Sequence, residues 1–176
     1  MQSNIAKSAM SYGLILGALF SVNFLLSVPN SSLLGLLSWL VTAAILVATY
    51  KMAIRYRDNN CEGFISYGKA FSLIVFMFFF AAIISAFVKF IYLQFINTYF
   101  LERQLEQVML VLETMSFPIT DEIYKTMSAM LTPIFFTITS IFTNMFLSVF
   151  AGLIIAAFVK KEKGLFDDKK EIQENN

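Results

Sequence analysis

Four long runs of apolar residues, charged only near the end of the second (Lys51) and third (Lys89), alternate with polar segments along the chain. They cover about residues 8–28, 33–53, 70–90 and 133–159. A hydrocarbon core of about 30 Å needs roughly 20 residues of α-helix at 1.5 Å per residue, and each run meets that length. The pattern therefore predicts an all-α polytopic membrane protein with four transmembrane helices. Pro133 lies at the start of the fourth run, where we expect it to kink the helix.

The segment between the third and fourth runs has a helical period of a different kind. Its apolar residues recur at steps of three and four, as an amphipathic helix requires. They are Leu101, Leu105, Val108, Leu112 and Met115. Pro118 breaks this helix, and Thr120 is suited to cap a second one, whose apolar face holds Ile123, Met127 and Met130. We predict an extracytoplasmic helical hairpin at about 98–131, either standing with its two stripes packed together or lying flat on the bilayer.

Composition agrees with a chain that folds in lipid. Hydrophobic residues make up 58% and charged residues 14% of the 176 positions, against roughly 45–50% and about 25% in soluble domains. We therefore predict one four-helix membrane domain at 1–160 and a polar cytoplasmic tail at 161–176. The first run is longer than the apolar part of a secretory signal, and no A-x-A-like site follows it, so we interpret it as a retained span.

Lysine and arginine residues are distributed unevenly over the polar segments. With four spans and both termini inside, ten of the 13 basic residues are cytoplasmic, and only Arg103 and Lys125 lie outside beyond the boundary residue Lys89. Cytoplasmic loops carry such an excess. The residues predicted to set the topology and to meet lipid headgroups are Lys51, Arg55, Arg57, Lys69, Lys89, Lys160 and Lys161. The pattern predicts a multi-pass membrane protein with cytoplasmic N- and C-termini.

Small residues recur every four positions on one face of the first and last spans. They are Ala9, Gly13, Gly17 and Ser21 in the first, and Ser140, Asn144, Ser148, Gly152 and Ala156 in the last. Small residues let membrane helices approach closely. We interpret both stripes as a helix-packing seam in which these two helices pack against each other. A homodimer interface and the lining of a polar path are the alternatives.

Two polar side chains in the spans have more than one interpretation. Asn144 lies near the middle of the last span, where an interhelical hydrogen bond is the simpler role and a substrate contact the alternative. Lys89 lies at the outer edge of the third span, where a lysine extends to the headgroups. Ser85 lies one turn earlier, so a Ser–Lys pair for acyl transfer is the alternative. The outer acidic residues lack a glycine-bearing metal loop, and we interpret them as a solvated face: Glu102, Glu106, Glu113, Asp121 and Glu122.

The segment ISYGKAF, residues 65–71, enters the third span directly after a basic loop. A glycine-spaced first span and a long outer segment accompany it. With these features the chain resembles the domain of unknown function 4199 family, small four-helix proteins, over roughly residues 7–160. The resemblance implies a helical protein of a bacterial inner membrane, and it supplies no activity, cofactor or catalytic residue.

Absent residue types narrow the predicted function. The chain has no histidine and one cysteine, so it offers no imidazole base, no His-ligated metal and no internal disulfide. No carboxylate lies within the four runs, whereas intramembrane acids mark coupled transport. We predict no catalytic residue, metal, cofactor or nucleic-acid partner.

The predicted function is a non-enzymatic packing, scaffold or accessory role with the lipid bilayer and either a second copy or another membrane protein as partners. The alternative is a passive channel or carrier for a small solute, lined by the polar face of the fourth helix: Ser140, Thr143, Asn144 and Ser148.

Overall fold

Within residues 5–29 and 31–162, which the computed structural model describes, the chain forms six α-helices and no strand. Their bounds are α1 Ile5–Ser27, α2 Ser32–Asn60, α3 Tyr67–Ile91, α4 Tyr99–Thr114, α5 Asp121–Met130 and α6 Pro133–Val159, and a π-helical turn, Tyr92–Ile96, extends α3. Helices α1, α2, extended α3 and α6 are long and apolar enough to cross a membrane. The predicted all-α class with four such helices is confirmed. The predicted tail lies outside the described residues from position 163 onward.

The helix ends follow the capping residues of the sequence in part. Thr120 precedes α5, and its hydroxyl accepts a hydrogen bond from the Ile123 amide at 3.3 Å, as expected of a cap. Ser66 precedes α3 without such a bond. Pro133 occupies the first turn of α6. Backbone N–H groups in the first turn make no intrahelical bond, so a proline there costs none. The expected kink at Pro133 is therefore wrong, because α6 begins at the proline.

Helix α3 packs against both α1 and α6, and it supplies the largest share of the buried core. Gly13 and Gly17 of α1 face α3, where a Cβ built on Gly13 would lie 2.6 Å from Phe80 Cβ. Gly152 of α6 meets the ring of Phe71, also on α3. The prediction that the two small-residue stripes pack against each other is wrong for these glycines, because each of them receives a bulky side chain of α3.

The ends of α2 and α6 are joined beside the loop that connects α2 to α3, and we call this the basic end. Ile65 of the loop and Lys161 exchange two backbone hydrogen bonds, of 2.8 and 3.0 Å. Arg57 Nη1 donates to the carbonyl oxygen of Val159 at 3.2 Å. A cation at the last carbonyls of a helix is favourable for the helix dipole. The opposite end of the bundle, which holds the turn between α1 and α2, we call the far end.

Helices α4 and α5 occupy the segment for which the sequence predicts a hairpin. Phe100 and Leu101 at the start of α4 are buried in a cluster with Phe24 of α1. Leu105 is buried as well, whereas no described residue of α5 is buried. The start of α4 is thus anchored on the bundle, and mutual packing of the two stripes stays a prediction.

Candidate functional site

Four helices line a partly polar, partly open cavity towards the far end of the bundle. Its volume is about 480 Å³, within the range of small-molecule sites. Its polar lining consists of Asn23 and Ser27 of α1, Ser38 and Thr42 of α2, Lys89 of α3 and Asn144 of α6. Its apolar lining consists of Phe20, Phe24, Ile45, Leu46, Phe78, Leu147 and Ala151. Each helix of membrane-crossing length therefore contributes at least one polar group.

The Lys89 amine is directed from α3 towards α6 and α1. Its Nζ donates a hydrogen bond to Ser140 Oγ at 2.5 Å and lies 5.4 Å from the centre of the Phe24 ring. Both contacts suit an ammonium group, because hydroxyl oxygens accept from it and aromatic faces attract cations. The alternative pairing of Lys89 with Ser85 is wrong, since Ser85 is fully buried and its hydroxyl has no partner among the described residues.

Asn23 joins α1 to α2 at the cavity wall. Its Nδ2 donates to Thr42 Oγ1 at 3.1 Å, and its Oδ1 accepts from Ser38 Oγ at 2.7 Å. The Thr42 hydroxyl donates in turn to the Ser38 carbonyl at 2.9 Å. Interhelical bonds of this kind stabilise a membrane bundle by about 0.6–2 kcal/mol each. The sequence reasoning missed Asn23, although an amide inside an apolar run is the same signal that singled out Asn144.

The charge of Lys89 has no acidic partner in the cavity. No Asp or Glu lines the cavity, and the ion pair found in the described part of the chain joins Arg57 to Asp58, at 2.8 Å, near the basic end. A charge taken out of water costs free energy unless it is paired. One hydroxyl and one ring offset part of that cost, and an anion near Nζ would offset more. The Asn144 amide lines the same space and can donate to such an anion.

The small-residue stripe of α6 divides into two parts. Ser140 and Asn144 belong to the polar part, since the first accepts the bond from Lys89 and the second lines the cavity. Ser148 is fully buried with its hydroxyl bonded inside α6, and Gly152 is buried against α3. The remaining members of the two stripes are all buried: Ala9, Gly13, Gly17, Ser21 and Ala156. Only the part of α6 nearer the far end is therefore available to a ligand.

The basic residues predicted to set the topology lie in two places. Lys89 is at the cavity. The others lie on or beside the segments that meet at the basic end: Lys51, Arg55, Arg57, Lys69, Lys160 and Lys161. Among these, Arg57 is held by the Val159 carbonyl, and the Lys161 amine lies 5.3 Å from the centre of the Phe64 ring. One end of the bundle thus carries a concentrated positive charge, and the cavity carries an isolated one.

This fold and site define a class: a helical protein with four helices of membrane-crossing length, whose cavity is lined by a single charged side chain, that of Lys89. Residues 11–161 match the model of the family described as "Protein of unknown function (DUF4199)". The match covers most of the chain, from within α1 to the residue that pairs with Ile65, so the chain belongs to that family and the resemblance stated from its sequence is confirmed. No curated protein and no solved structure matches the chain.

Proposed function

We propose that this chain is a non-enzymatic integral protein of a bacterial inner membrane, and that its bundle binds an anionic ligand in the cavity at Lys89. The observation that carries the proposal is the position of the lysine amine, which shares a cavity with neutral polar groups of three other helices and has no carboxylate beside it. Ionic interactions are several times stronger there than in water because the effective dielectric constant is lower. A bound anion therefore stabilises the folded bundle.

The lining of the cavity supports a binding site more than a conducting path. On α6 the lining changes from Asn144 to Leu147 and Ala151 within two turns. Ser148 faces the packed interior, fully buried, and Thr143 is not part of the lining. A selective channel has polar or charged groups along its ion path, whereas these residues of α6 continue from Asn144 as an apolar wall. The carrier alternative from the sequence thus has weaker support than a pocket with one polar end.

The charge distribution supports an orientation with both termini in the cytoplasm. The loop between α2 and α3 and the end of α6 form the basic end, and basic segments are retained on the cytoplasmic side. In this orientation the cavity lies in the outer half of the bundle. Alkaline phosphatase fused after Glu113 should be active, and the same enzyme fused after Asn60 should be inactive. The reverse pattern would overturn the orientation and leave the anion site untouched.

The α4–α5 segment is the part we assign to an accessory role outside the membrane. We place it as a helical hairpin on the outer surface, as the sequence predicts. Apolar side chains of this segment are more than half exposed, which supports contact with a partner protein or with the bilayer surface. They are Leu110, Val111, Met115, Phe117 and Tyr124.

The anion site is tested with the purified full-length chain in an uncharged detergent. The probes are inorganic phosphate, glycerol phosphate and phosphatidylglycerol, with an uncharged diacylglycerol as comparison. We expect at least one acidic probe to raise the melting temperature of the wild type and not of Lys89→Gln, while Lys69→Gln responds like the wild type. Recovery of the probe unchanged supports a non-enzymatic role. If no acidic probe stabilises the wild type, or if Lys89→Gln responds fully, the proposal is wrong.

A further inference from the structure

The cavity at Lys89 changes from polar to apolar in the same direction on all four helices. On α2 the lining residues Ser38 and Thr42 come first from the far end, and Leu46 follows deeper in the bundle. On α3 the deep residue is Phe78, which is 11 positions before Lys89 and hence about 16 Å away along the helix. Helices α1 and α6 show the same order. The cavity therefore has a charged part at Lys89 and an apolar part deeper in the bundle, and we call the apolar part the floor.

The apolar part of the cavity opens between α2 and α6. Helix α2 is the least buried of the four: 11% of the residues in its apolar 18-residue stretch are buried, against 44% in that of Tyr67–Ile96. Leu46 of α2 and Leu147 of α6 both line the cavity and are still 45% and 55% exposed. Side chains that line a cavity and also meet the surroundings mark its opening, and in a membrane those surroundings are acyl chains.

We infer that the ligand of this site is an anionic membrane lipid, whose headgroup phosphate lies at Lys89 and one of whose acyl chains lies between α2 and α6. The inference rests on the proposed anion site and adds the class of ligand. A soluble anion would satisfy the lysine alone and make no use of the apolar part of the cavity. A neutral lipid would fill the floor and leave the cation unpaired. A lipid with a charged head matches both parts.

A second cation lines a cavity that adjoins the one at Lys89. Arg103 of α4 lines a neighbouring cavity of about 350 Å³, and Ser27 lines both cavities, so the two adjoin. Arg103 has no carboxylate within ion-pair distance in the described part of the chain. An arginine can bind a phosphate through two parallel N–H groups. Arg103, whose side chain is exposed, is therefore a second group that can contact the headgroup of a lipid bound at Lys89.

The experiment measures lipid binding to the full-length chain by native mass spectrometry and by titration in an uncharged detergent. Phosphatidylglycerol is compared with diacylglycerol of the same chains and with glycerol phosphate, which is the head without chains. Leu147→Trp fills the apolar floor, and Leu46→Trp fills it from α2 in case the first variant does not fold. Phe146→Trp is the control, because Phe146 is on the same helix, 65% exposed and not part of the lining.

We expect phosphatidylglycerol to bind at one molecule per chain and more tightly than either comparison compound. Lys89→Gln should weaken its binding about tenfold, which is about 1.4 kcal/mol, and each floor variant should weaken it to a similar degree while Phe146→Trp has no effect. If glycerol phosphate binds as tightly as phosphatidylglycerol and the floor variants do not change binding, the assignment of a lipid ligand is wrong and the proposed anion site stands. If Lys89→Gln binds every probe like the wild type, the lipid ligand and the anion site are both wrong.

Discussion

Replacing Gly13 by alanine tests the close approach of α1 and α3. A Cβ at this position would lie 2.6 Å from Phe80 Cβ and 3.0 Å from the Met77 carbonyl oxygen. Neither atom belongs to the free end of a side chain, so the helices must move apart to admit the methyl group. Overpacking of this kind costs about 1–3 kcal/mol, and we take the upper value because a backbone atom is involved. Alanine regains about 1 kcal/mol of helix propensity, which leaves a net loss of about 2 kcal/mol.

Gly35 provides the matched control for this substitution. It lies in the first turns of α2, and a Cβ built there meets nothing within 4 Å. Gly35→Ala therefore keeps the propensity gain without the clash and should be neutral or stabilising. Gly152→Ala should fall between the two, because its nearest atoms, at 3.2 Å, are in the rotatable ring of Phe71.

The assay is thermal unfolding of the three variants in one detergent, followed by circular dichroism and by recovery of the monodisperse peak. A loss of about 2 kcal/mol should lower the melting temperature of Gly13→Ala by about 4–8 °C, and Gly35→Ala should not fall below the wild type. A Gly13→Ala protein as stable as the wild type would refute the close contact of α1 with α3. Equal destabilisation at Gly35 would attribute the effect to glycine itself.

Three further predictions concern the two ends and the outer segment. Arg57→Ala removes the bond to the end of α6 and should increase amide hydrogen exchange in residues 157–161, whereas Arg55→Ala, at an exposed position, should not. Asn23→Leu removes both of its bonds to α2 and should destabilise the bundle by about 1–2 kcal/mol in the same melting assay. Leu105→Cys with Ile123→Cys should form a disulfide under mild oxidation if α4 and α5 make a hairpin.

Each of these predictions has an outcome that contradicts it. Equal exchange in the two arginine variants would mean that the bridge at Ile65 holds the end of α6 without Arg57. An unchanged melting temperature for Asn23→Leu would show that α2 is held by apolar packing alone. For the outer segment, absence of a crosslink at Leu105 and at the neighbouring register Val108 would favour helices that lie separately on the bilayer.

The lengths and ends of the helices were predictable because they depend on local features. Long apolar runs set the four long helices, and Thr120 caps α5 through its own hydroxyl. The positions of α4 and α5 follow from a three- and four-residue period in a polar segment. Pro133 shows the limit of such reasoning, because the same residue either kinks a helix or starts one, and the register of α6 decides which.

The arrangement of the long helices was not predictable from the same patterns. A helix in lipid is apolar on its lipid side and on its packed side, so hydrophobicity does not tell which face meets which neighbour. Gly13 and Gly17 indicate that some backbone comes close, but not that it belongs to α3. Lys89 was assigned to the headgroups by its place near a span end, and only the fold brings the Ser140 hydroxyl and the Phe24 ring to its amine.

The position of the cavity follows from how α2 is held at its two ends. At the basic end α2 is tied to α6, since Arg57 bonds to the Val159 carbonyl and the following loop pairs with Lys161. Towards the far end its polar bonds run to Asn23 of α1. Helices α2 and α6 are therefore joined at the basic end and held by different neighbours towards the far end, where residues of both line the cavity. The bonds at the basic end therefore limit how far α2 can separate from α6, and with it the size of a ligand that enters.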